Sequence, residues 1–245
     1  MHTCPHPTAP AALADTASAG TPAASTAAAR PIAAPVRRVR RGLRWAAATG
    51  LAAALAGPAL AQDLPGGNET ARRAIHVCAA CHGEGGRSAS AAYPALAGQS
   101  AMYTVRQLRD FRAQQRSESD AQAYMWGVSA LLDDDTIQAL ADYYAAQTPL
   151  PGRPKAPAAV IKAGQALFDN GLPAKGVRAC ASCHGDKAEG AAGFPRLAGQ
   201  HAAYIAQQLT VFGTRLRPHG VLMKAEAANL SPAQIQALAA YLQSL

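Results

Sequence analysis

The sequence predicts an all-α protein made of two copies of one small helical domain. A compound motif in the middle of the chain recurs in the same order in its last third, which indicates one fold used twice. Capping residues precede amphipathic segments in both copies, and no alternating pattern of strand type competes with them. Aromatic residues make up only 5% of the chain. Two small domains rich in Ala and Leu would therefore bury too little apolar surface unless something else fills their interiors.

The repeat has four parts that keep their order in both halves. Each half has a Cys-x-x-Cys-His-Gly segment, then an aromatic residue before Pro-x-Leu-Ala-Gly-Gln, then Tyr-x-x-x-Gln-Leu-x-x-Phe, and finally a methionine. These parts occupy residues 78–83, 93–99, 103–111 and Met125 in the first half, and residues 180–185, 194–200, 204–212 and Met223 in the second.

Three helices are expected in the first half, each starting from a capping residue. Asn, Ser and Asp side chains accept hydrogen bonds from the free N–H groups of a first turn, and acidic residues there suit the helix dipole. The expected helices run from Asn68 into Cys78, from Ser100 through about Ala113, and from Asp133 to Ala146.

In the second half, glycines mark two helix ends and a Ser-Pro pair marks a helix start. Glycine tolerates the left-handed conformation that often ends a helix, and proline is well placed in a first turn. The expected helices run from about Ala158 to the Asp169-Asn170-Gly171 stop, from about Gln200 to Phe212 with Gly213 as its stop, and from the Ser231 cap, with Pro232 in the first turn, to the C-terminus.

The first 61 residues have the pattern of a targeting segment. Residues 1–36 are mostly Ala, Pro, Thr and Ser, a composition that packs no core, and five arginines follow between positions 37 and 44. A short apolar stretch, residues 45–56, then leads to an Ala-x-Ala signal, so we expect a signal peptide cleaved after Ala61. The alternative is a retained membrane anchor, for which the stretch is short and only weakly apolar.

The domain limits follow from the repeat and from a proline-rich join. Four prolines between positions 149 and 157 indicate an extended, semi-rigid connector. We therefore expect an N-terminal extension with the signal peptide over residues 1–61, a first domain over 62–148, a linker over 149–157 and a second domain over 158–245.

The net charge of +8 belongs mostly to the leader. Residues 62–150 hold seven Arg and ten acidic residues, whereas residues 151–245 hold ten basic residues and four acidic ones. The positive charge is scattered rather than clustered with aromatics, which argues against nucleic-acid binding. We expect the basic half to face an acidic protein partner through its lysines, which are Lys155, Lys162, Lys175, Lys187 and Lys224.

All four cysteines beyond the leader lie in Cys-x-x-Cys-His motifs, which are typical of covalent haem attachment. Two thiols at this spacing reach the two vinyl groups on one edge of a porphyrin and form thioethers, and the adjacent histidine binds the iron. A zinc site, a thioredoxin-like dithiol and a plain disulfide are the alternatives, and none explains a histidine after both pairs. The sequence therefore predicts two haem c groups, on Cys78, Cys81 and His82 and on Cys180, Cys183 and His184.

The second axial ligand of each iron is expected to be a methionine, a soft thioether that suits haem iron and raises its potential. Met125 and Met223 occupy the same place in the repeat, ahead of the last helix. Met102 has no counterpart in the second half, and we expect it to pack in a helix. His219, four residues before Met223, is the one serious competitor for the second iron.

Together these motifs resemble the di-haem cytochromes c of the c4 class, over essentially all of residues 62–245. The resemblance implies two tandem class I cytochrome c domains, each wrapped round one covalently bound haem. It also implies that Pro94 and Pro195 accept a hydrogen bond from the iron-ligating histidines, which fixes the ring and raises its basicity.

The resemblance further implies that the first and last helices of each domain pack together. The first half departs from the family pattern here, and we expect a looser contact in it. An insertion before the second motif, residues 171–179, is another departure. The packing residues are Gly164 and Phe168 against Leu238 and Tyr241 in the second half, and Ala71 and Ile75 against Leu140 and Tyr143 in the first.

With histidine on one side and methionine on the other, neither iron keeps a position for a substrate, so we expect an electron carrier without catalytic residues. The resemblance implies a periplasmic carrier between the quinol-oxidising complex of a respiratory chain and a haem-copper terminal oxidase; peripheral association with the membrane stays open. The alternative is the electron-accepting cytochrome subunit of a periplasmic flavin or sulfur-oxidising dehydrogenase. A di-haem peroxidase would need one open or bis-histidine iron, which the paired methionines argue against.

Overall fold

The computed structural model describes residues 68–245, and over that range the protein is all-α, as the sequence predicts. Two isolated β-bridges occur among these residues, but no strand. The leader, the cleavage site after Ala61 and the expected start of the first domain at residue 62 lie outside the described residues. No helix between residues 68 and 245 has both the length and the apolar character that crossing a bilayer requires.

The three helix starts expected in the first half are confirmed by their caps. The side chains of Asn68, Ser100 and Asp133 each accept a hydrogen bond from the backbone N–H three residues on. The first helix continues beyond Cys78 and includes the whole Cys-x-x-Cys-His motif. The α-helices of this half are α1 (Glu69–His82), α2 (Ala101–Arg112), α3 (Trp126–Ser129) and α4 (Asp134–Ala145).

The second half has helices in the same order; its first helix ends at a glycine and its last helix begins with a capping box. The helix that follows the linker ends at Gly171, whose φ of 64° is unfavourable for any residue with a Cβ. The terminal helix begins with a capping box, in which Ser231 and Gln234 each accept the backbone N–H of the other. The α-helices of this half are α5 (Ala158–Asn170), α6 (Ala181–His184), α7 (Ala202–Phe212), α8 (Val221–Ala227) and α9 (Pro232–Ser244).

Two helical segments that the sequence pattern does not predict precede α4 and α9. In the first half a π-helical turn, Ala121–Met125, leads directly into α3; in the second half the corresponding segment is α8. Both segments are too short to show helical periodicity in the sequence. The first is anchored by tertiary contacts: the Trp126 indole N–H donates to the Arg116 carbonyl at 2.8 Å.

The first and last helices of the second half pack closely. A Cβ at Gly164 would lie 2.0 Å from the carbonyl oxygen of Ala237, so α5 and α9 approach as only a glycine permits. Phe168 is fully buried beneath this crossing, with its ring centroid 5.5 Å from that of Tyr241.

The equivalent contact in the first half is less extensive, as expected. Ala71, Ile75 and Leu140 are buried in it. The buried aromatic is Tyr144, at 2% exposure, whereas the predicted Tyr143 is only partly buried. Ala71 stands where the second half has Gly164, and the ring of Tyr144 is buried in the same cluster as Ala71.

The insertion before the second motif is a small hairpin attached to α8. Leu172 and Val177 exchange backbone hydrogen bonds, and Val177 is buried. At the end of the hairpin, the backbone N–H and the Nε of Arg178 donate to the two carboxylate oxygens of Glu226, at 2.8 and 2.7 Å. The insertion therefore ties the segment before Cys180 to the helix that carries Met223.

Candidate cofactor sites

The last turn of α1 carries the first cysteine pair. Cys78 is half-buried, Cys81 is exposed, and both are free thiols. Burial raises the pKa of the Cys78 thiol, which therefore stays protonated near neutral pH.

The second pair lies at the start of α6. Cys180 and Cys183 are half-buried free thiols, and burial together with the nearby Glu226 carboxylate raises the pKa of Cys180 to about 11. The cysteines within residues 68–245 thus form no disulfide. In the same range no three Cys, His, Asp or Glu side chains gather as metal ligands, so a zinc site of the usual kind has no ligand set there.

Each of the two motif histidines is buried and makes one hydrogen bond to a proline carbonyl. The Nδ1 of His82 lies 2.8 Å from the carbonyl oxygen of Pro94, and the Nδ1 of His184 lies 3.0 Å from that of Pro195. A carbonyl oxygen only accepts, so Nδ1 carries the hydrogen. Burial lowers the pKa of both rings and keeps them neutral. The lone pair of Nε2 is therefore available to a metal ion.

An aromatic ring flanks each of these histidines edge-on. The ring centroid of Tyr93 is 6.1 Å from that of His82, and the centroid of Phe194 is 6.0 Å from that of His184. These aromatics have no role among the sequence-based predictions, although their place before the repeated proline was a usable signal. In the first half Tyr124 extends the contact, with its centroid 6.2 Å from Tyr93.

The two matched methionines lie in the two short helical segments. Met125 is the last residue of the π-helical turn, and Met223 lies in α8; both are half-buried. π-Helical turns occur frequently at functional sites. Large apolar side chains next to both methionines are exposed, among them Val128, Val221 and Leu222.

The competitor of Met223, His219, is hydrogen-bonded to an acidic side chain. His219 is largely exposed, and its Nδ1 lies 2.7 Å from the Asp110 carboxylate of the first half. Met102 does not pack in a helix contact as expected, since 56% of it is exposed. The reason is the orientation of α2, which turns Met102 outwards, towards the loop at Gly193.

A buried polar cluster that the sequence does not predict joins the two halves. The Arg116 guanidinium donates to Tyr204 and Gln208 of the second half, at 3.1 and 3.0 Å. The Arg217 guanidinium donates in turn to Tyr103 and Gln107 of the first half. The Tyr and Gln positions are those of the repeated Tyr-x-x-x-Gln motif, so the motif serves the contact between halves. The four-residue spacing of Tyr and Gln could have suggested that the two side chains share one helix face, but it could not show that this face contacts the other half.

The Glu118 carboxylate accepts hydrogen bonds within this cluster. Glu118 accepts from Nε of Arg116 at 2.7 Å and from Gln208 at 3.3 Å, and only 3% of it is exposed. Burial is the largest single influence and would raise the pKa of Glu118, but the charge and hydrogen bond of Arg116, a backbone hydrogen bond and the Arg217 charge together hold this pKa below its ordinary value.

The donor sets of both halves fit a covalently attached haem. Each half supplies two free thiols, a neutral histidine whose Nε2 is available, and a half-buried methionine. Thiols form the thioether links, and imidazole with thioether sulfur is a common axial pair for haem iron.

Comparison with known proteins agrees with this chemistry. The family model described as "Cytochrome c" matches residues 69–146 and 161–245. Cytochrome c4 of Azotobacter vinelandii is 37% identical over 69% of this chain and 84% of its own length. The thiosulfate dehydrogenase electron acceptor of Thiomonas intermedia is 40% identical over 67% of this chain and 76% of its own.

A solved structure shows the same architecture. The structure of Acidithiobacillus ferrooxidans cytochrome c4 superposes with a TM-score of 0.64 at 41% identity, over 69% of this chain and 98% of that one. The matches cover both copies of the repeat, so each half is a cytochrome c domain. The chain therefore belongs to the cytochrome c family, in its di-haem c4 class.

Proposed function

We propose that this protein is a periplasmic electron carrier that holds two haem c groups and passes electrons between redox proteins. The observation that carries the proposal is the repeated donor set, present once in each half. The similarity to cytochromes c4 supports it. The proposed domains are residues 62–148 and 158–245, joined by the linker 149–157, with a signal peptide cleaved after Ala61.

In each domain the cysteine pair would hold the haem, and His and Met would bind the iron from opposite sides. When bound, the haem supplies an iron that changes between ferrous and ferric states. A histidine and a methionine of the chain would both be ligands of this iron, which would leave no position for substrate, and the proline carbonyl would fix the histidine ring. The proposed ligand pairs are His82 with Met125 and His184 with Met223, oriented by Pro94 and Pro195.

The ligand assignment is tested by the weak near-infrared band that methionine gives when bound to ferric haem iron. Met125→Ala and Met223→Ala should each remove about half of the band intensity, since each removes one of two bonds. Met102→Ala is the matched control, because Met102 is exposed and lies outside both donor sets. A band that keeps its full intensity in Met223→Ala would reject this ligand and favour His219.

Two kinds of redox partner are compatible with such a carrier. The first is a respiratory chain, with a quinol-oxidising complex as donor and a haem-copper terminal oxidase as acceptor. The second is a periplasmic dehydrogenase, which the similarity to a thiosulfate dehydrogenase electron acceptor favours. Purification from the native host separates them: a carrier elutes alone, whereas a redox subunit elutes with its catalytic partner.

The lysines of the second domain suit an acidic partner. All five of the lysines identified above are exposed. Complementary charge mainly raises the association rate, and salt screens it. An association rate that stays flat as ionic strength rises would exclude this docking mode.

A further inference from the structure

Gln99 and Gln200 end the repeated Pro-x-Leu-Ala-Gly-Gln segments, and each is buried against the backbone of the opposite half. Oε1 of Gln200 accepts the N–H of Ala95 at 2.9 Å, and Nε2 of Gln200 donates to the Ala95 carbonyl at 2.9 Å. Gln99 makes the same pair of bonds to Arg196, at 2.8 and 3.0 Å. The exposed fractions of Gln99 and Gln200 are only 9% and 7%. The contact is therefore reciprocal and shielded from water.

Gln200 binds the same peptide group that holds the histidine of the first domain. The Pro94 carbonyl accepts the Nδ1–H of His82, and the Ala95 N–H donates to Gln200. That carbonyl and that N–H belong to one planar peptide unit. His82 is thus separated from a side chain of the other domain by a single amide.

The second domain repeats the arrangement. The Pro195 carbonyl accepts the Nδ1–H of His184, and the N–H of the same peptide unit, from Arg196, donates to Gln99. Two crossed connections result, each from a histidine of one domain to a glutamine of the other.

Hydrogen bonds at the two ends of an amide strengthen each other, because an acceptor at the N–H shifts electron density onto the carbonyl oxygen. A stronger acceptor at Pro94 draws more strongly on the Nδ1–H of His82 and makes the ring a better electron donor through Nε2. A more electron-rich axial ligand stabilises ferric iron and so lowers the reduction potential.

The geometry points to Gln99 and Gln200 as positioning residues that tune the iron of the opposite domain through this shared peptide group. The inference rests on the proposed histidine ligation. Under it, the iron at His82 depends on Gln200 and the iron at His184 depends on Gln99. The potential of each haem is then set partly by the presence of the other domain.

A purely structural role predicts a different pattern. Oε1 of each glutamine also accepts the N–H of the next residue in its own domain, Ser100 at 2.9 Å and His201 at 3.0 Å. If the glutamines only held their own helix starts, their loss would disturb their own domain. If they only held the domains together, their loss would admit water at both haems and lower both potentials.

The test uses the full-length protein with both haems attached, and the variants Gln200→Leu and Gln99→Leu. Proton NMR of the reduced protein resolves the Nδ1–H of each ligand histidine, and a redox titration followed by the same signals assigns a potential to each domain. Gln200→Leu should move the His82 Nδ1–H upfield and raise the potential of the first haem. Gln99→Leu should do the same to His184 and the second haem.

Gln207→Leu is the matched control. Gln207 also crosses between domains, donating to Asp120 at 3.0 Å, but it does not touch either histidine-bound peptide. Gln200→Glu keeps an acceptor for the Ala95 N–H but loses the Nε2 donor to the Ala95 carbonyl. Because only the bond to the N–H acts on the peptide unit that holds His82, the His82 signal should stay at or downfield of its original position. This variant keeps the test decisive if the leucine variant does not fold.

Three outcomes would overturn the inference: shifts in the domain that carries the substitution, equal shifts in both domains, or shifts no larger than those of Gln207→Leu. The wild-type spectrum is read first. If it lacks the signals of iron-bound histidines, the proposed function itself fails, independently of what the glutamine variants do.

Discussion

Gly164 is the residue at which α5 passes α9, and its lack of a side chain sets the distance between the two helices. A Cβ at this position would meet the carbonyl oxygen of Ala237 at 2.0 Å and the Cβ of Tyr241 at 2.8 Å. Neither atom is the end of a flexible side chain, so the helices themselves would have to separate. Fully buried Phe168 lies in the same contact and would lose packing.

Gly164→Ala should therefore lower the free energy of unfolding by about 1–3 kcal/mol, the usual cost of overpacking a core. Urea unfolding of the haem-loaded protein measures it. Gly127→Ala is the control, because no atom lies within 4 Å of a Cβ there. Equal stability of the two variants would show that α5 and α9 can move apart freely.

At the scale of elements, the sequence predicts the helices that carry their own signals. Asn68, Ser100, Asp133 and Ser231 cap helices as expected, because a capping side chain acts on a backbone within three residues. The beginning of α7 is two residues later than expected, at Ala202.

The short segments around the methionines could not be predicted in this way. The π-helical turn Ala121–Met125 is followed by Trp126, whose indole bonds to the Arg116 carbonyl, and α8 is bonded to the end of the insertion hairpin through Glu226. These contacts form between residues that come together only when the chain has folded. The sequence repeat could place Met125 and Met223 at equivalent positions but could not show what holds them.

Glu226 is the residue by which α8 is held to the segment before Cys180, so its loss should loosen Met223. In Glu226→Ala the Met223 share of the near-infrared methionine–iron band should disappear at a lower temperature than in the wild type. The Met125 share of the band should keep its midpoint temperature, because Glu226 bonds to Arg178 of the second domain and not to the π-helical turn of the first.

Glu189→Ala provides the control for this measurement. Glu189 is exposed and also accepts a backbone N–H, that of Lys187, but it lies outside α8. If Glu226→Ala and Glu189→Ala give the same midpoint, the hairpin does not support the methionine helix.

At the scale of the whole molecule, the two domains share a buried cluster with more positive than negative charge. Arg116 and Arg217 are both buried, and Glu118 is the carboxylate that contacts Arg116. The matching position in the second domain is His219, which is exposed and paired with Asp110. No local sequence pattern indicates this cluster, because its side chains come from both halves of the chain. The sequence therefore predicts two domains but not the surface between them.

Glu118→Gln leaves the buried guanidiniums without a compensating charge, and it should destabilise the protein by about 3 kcal/mol, as the loss of one partner of a buried ion pair does. Urea unfolding at pH 7 measures this loss. The exposed Glu69, paired with Arg72 and Arg73, is the control, and Glu69→Gln should change the stability little.

The dependence of stability on pH gives the same prediction a second readout. The pKa of Glu118 is lower in the folded protein than its ordinary value, because the Arg116 and Arg217 charges and the hydrogen bonds to the carboxylate together outweigh burial. The ionised carboxylate therefore stabilises the fold fully above the ordinary glutamate pKa of about 4.3, and this stabilisation is lost as the pH falls through the folded value. Glu118→Gln should flatten this part of the acid-unfolding profile, whereas an unchanged slope would show that the cluster does not depend on this charge.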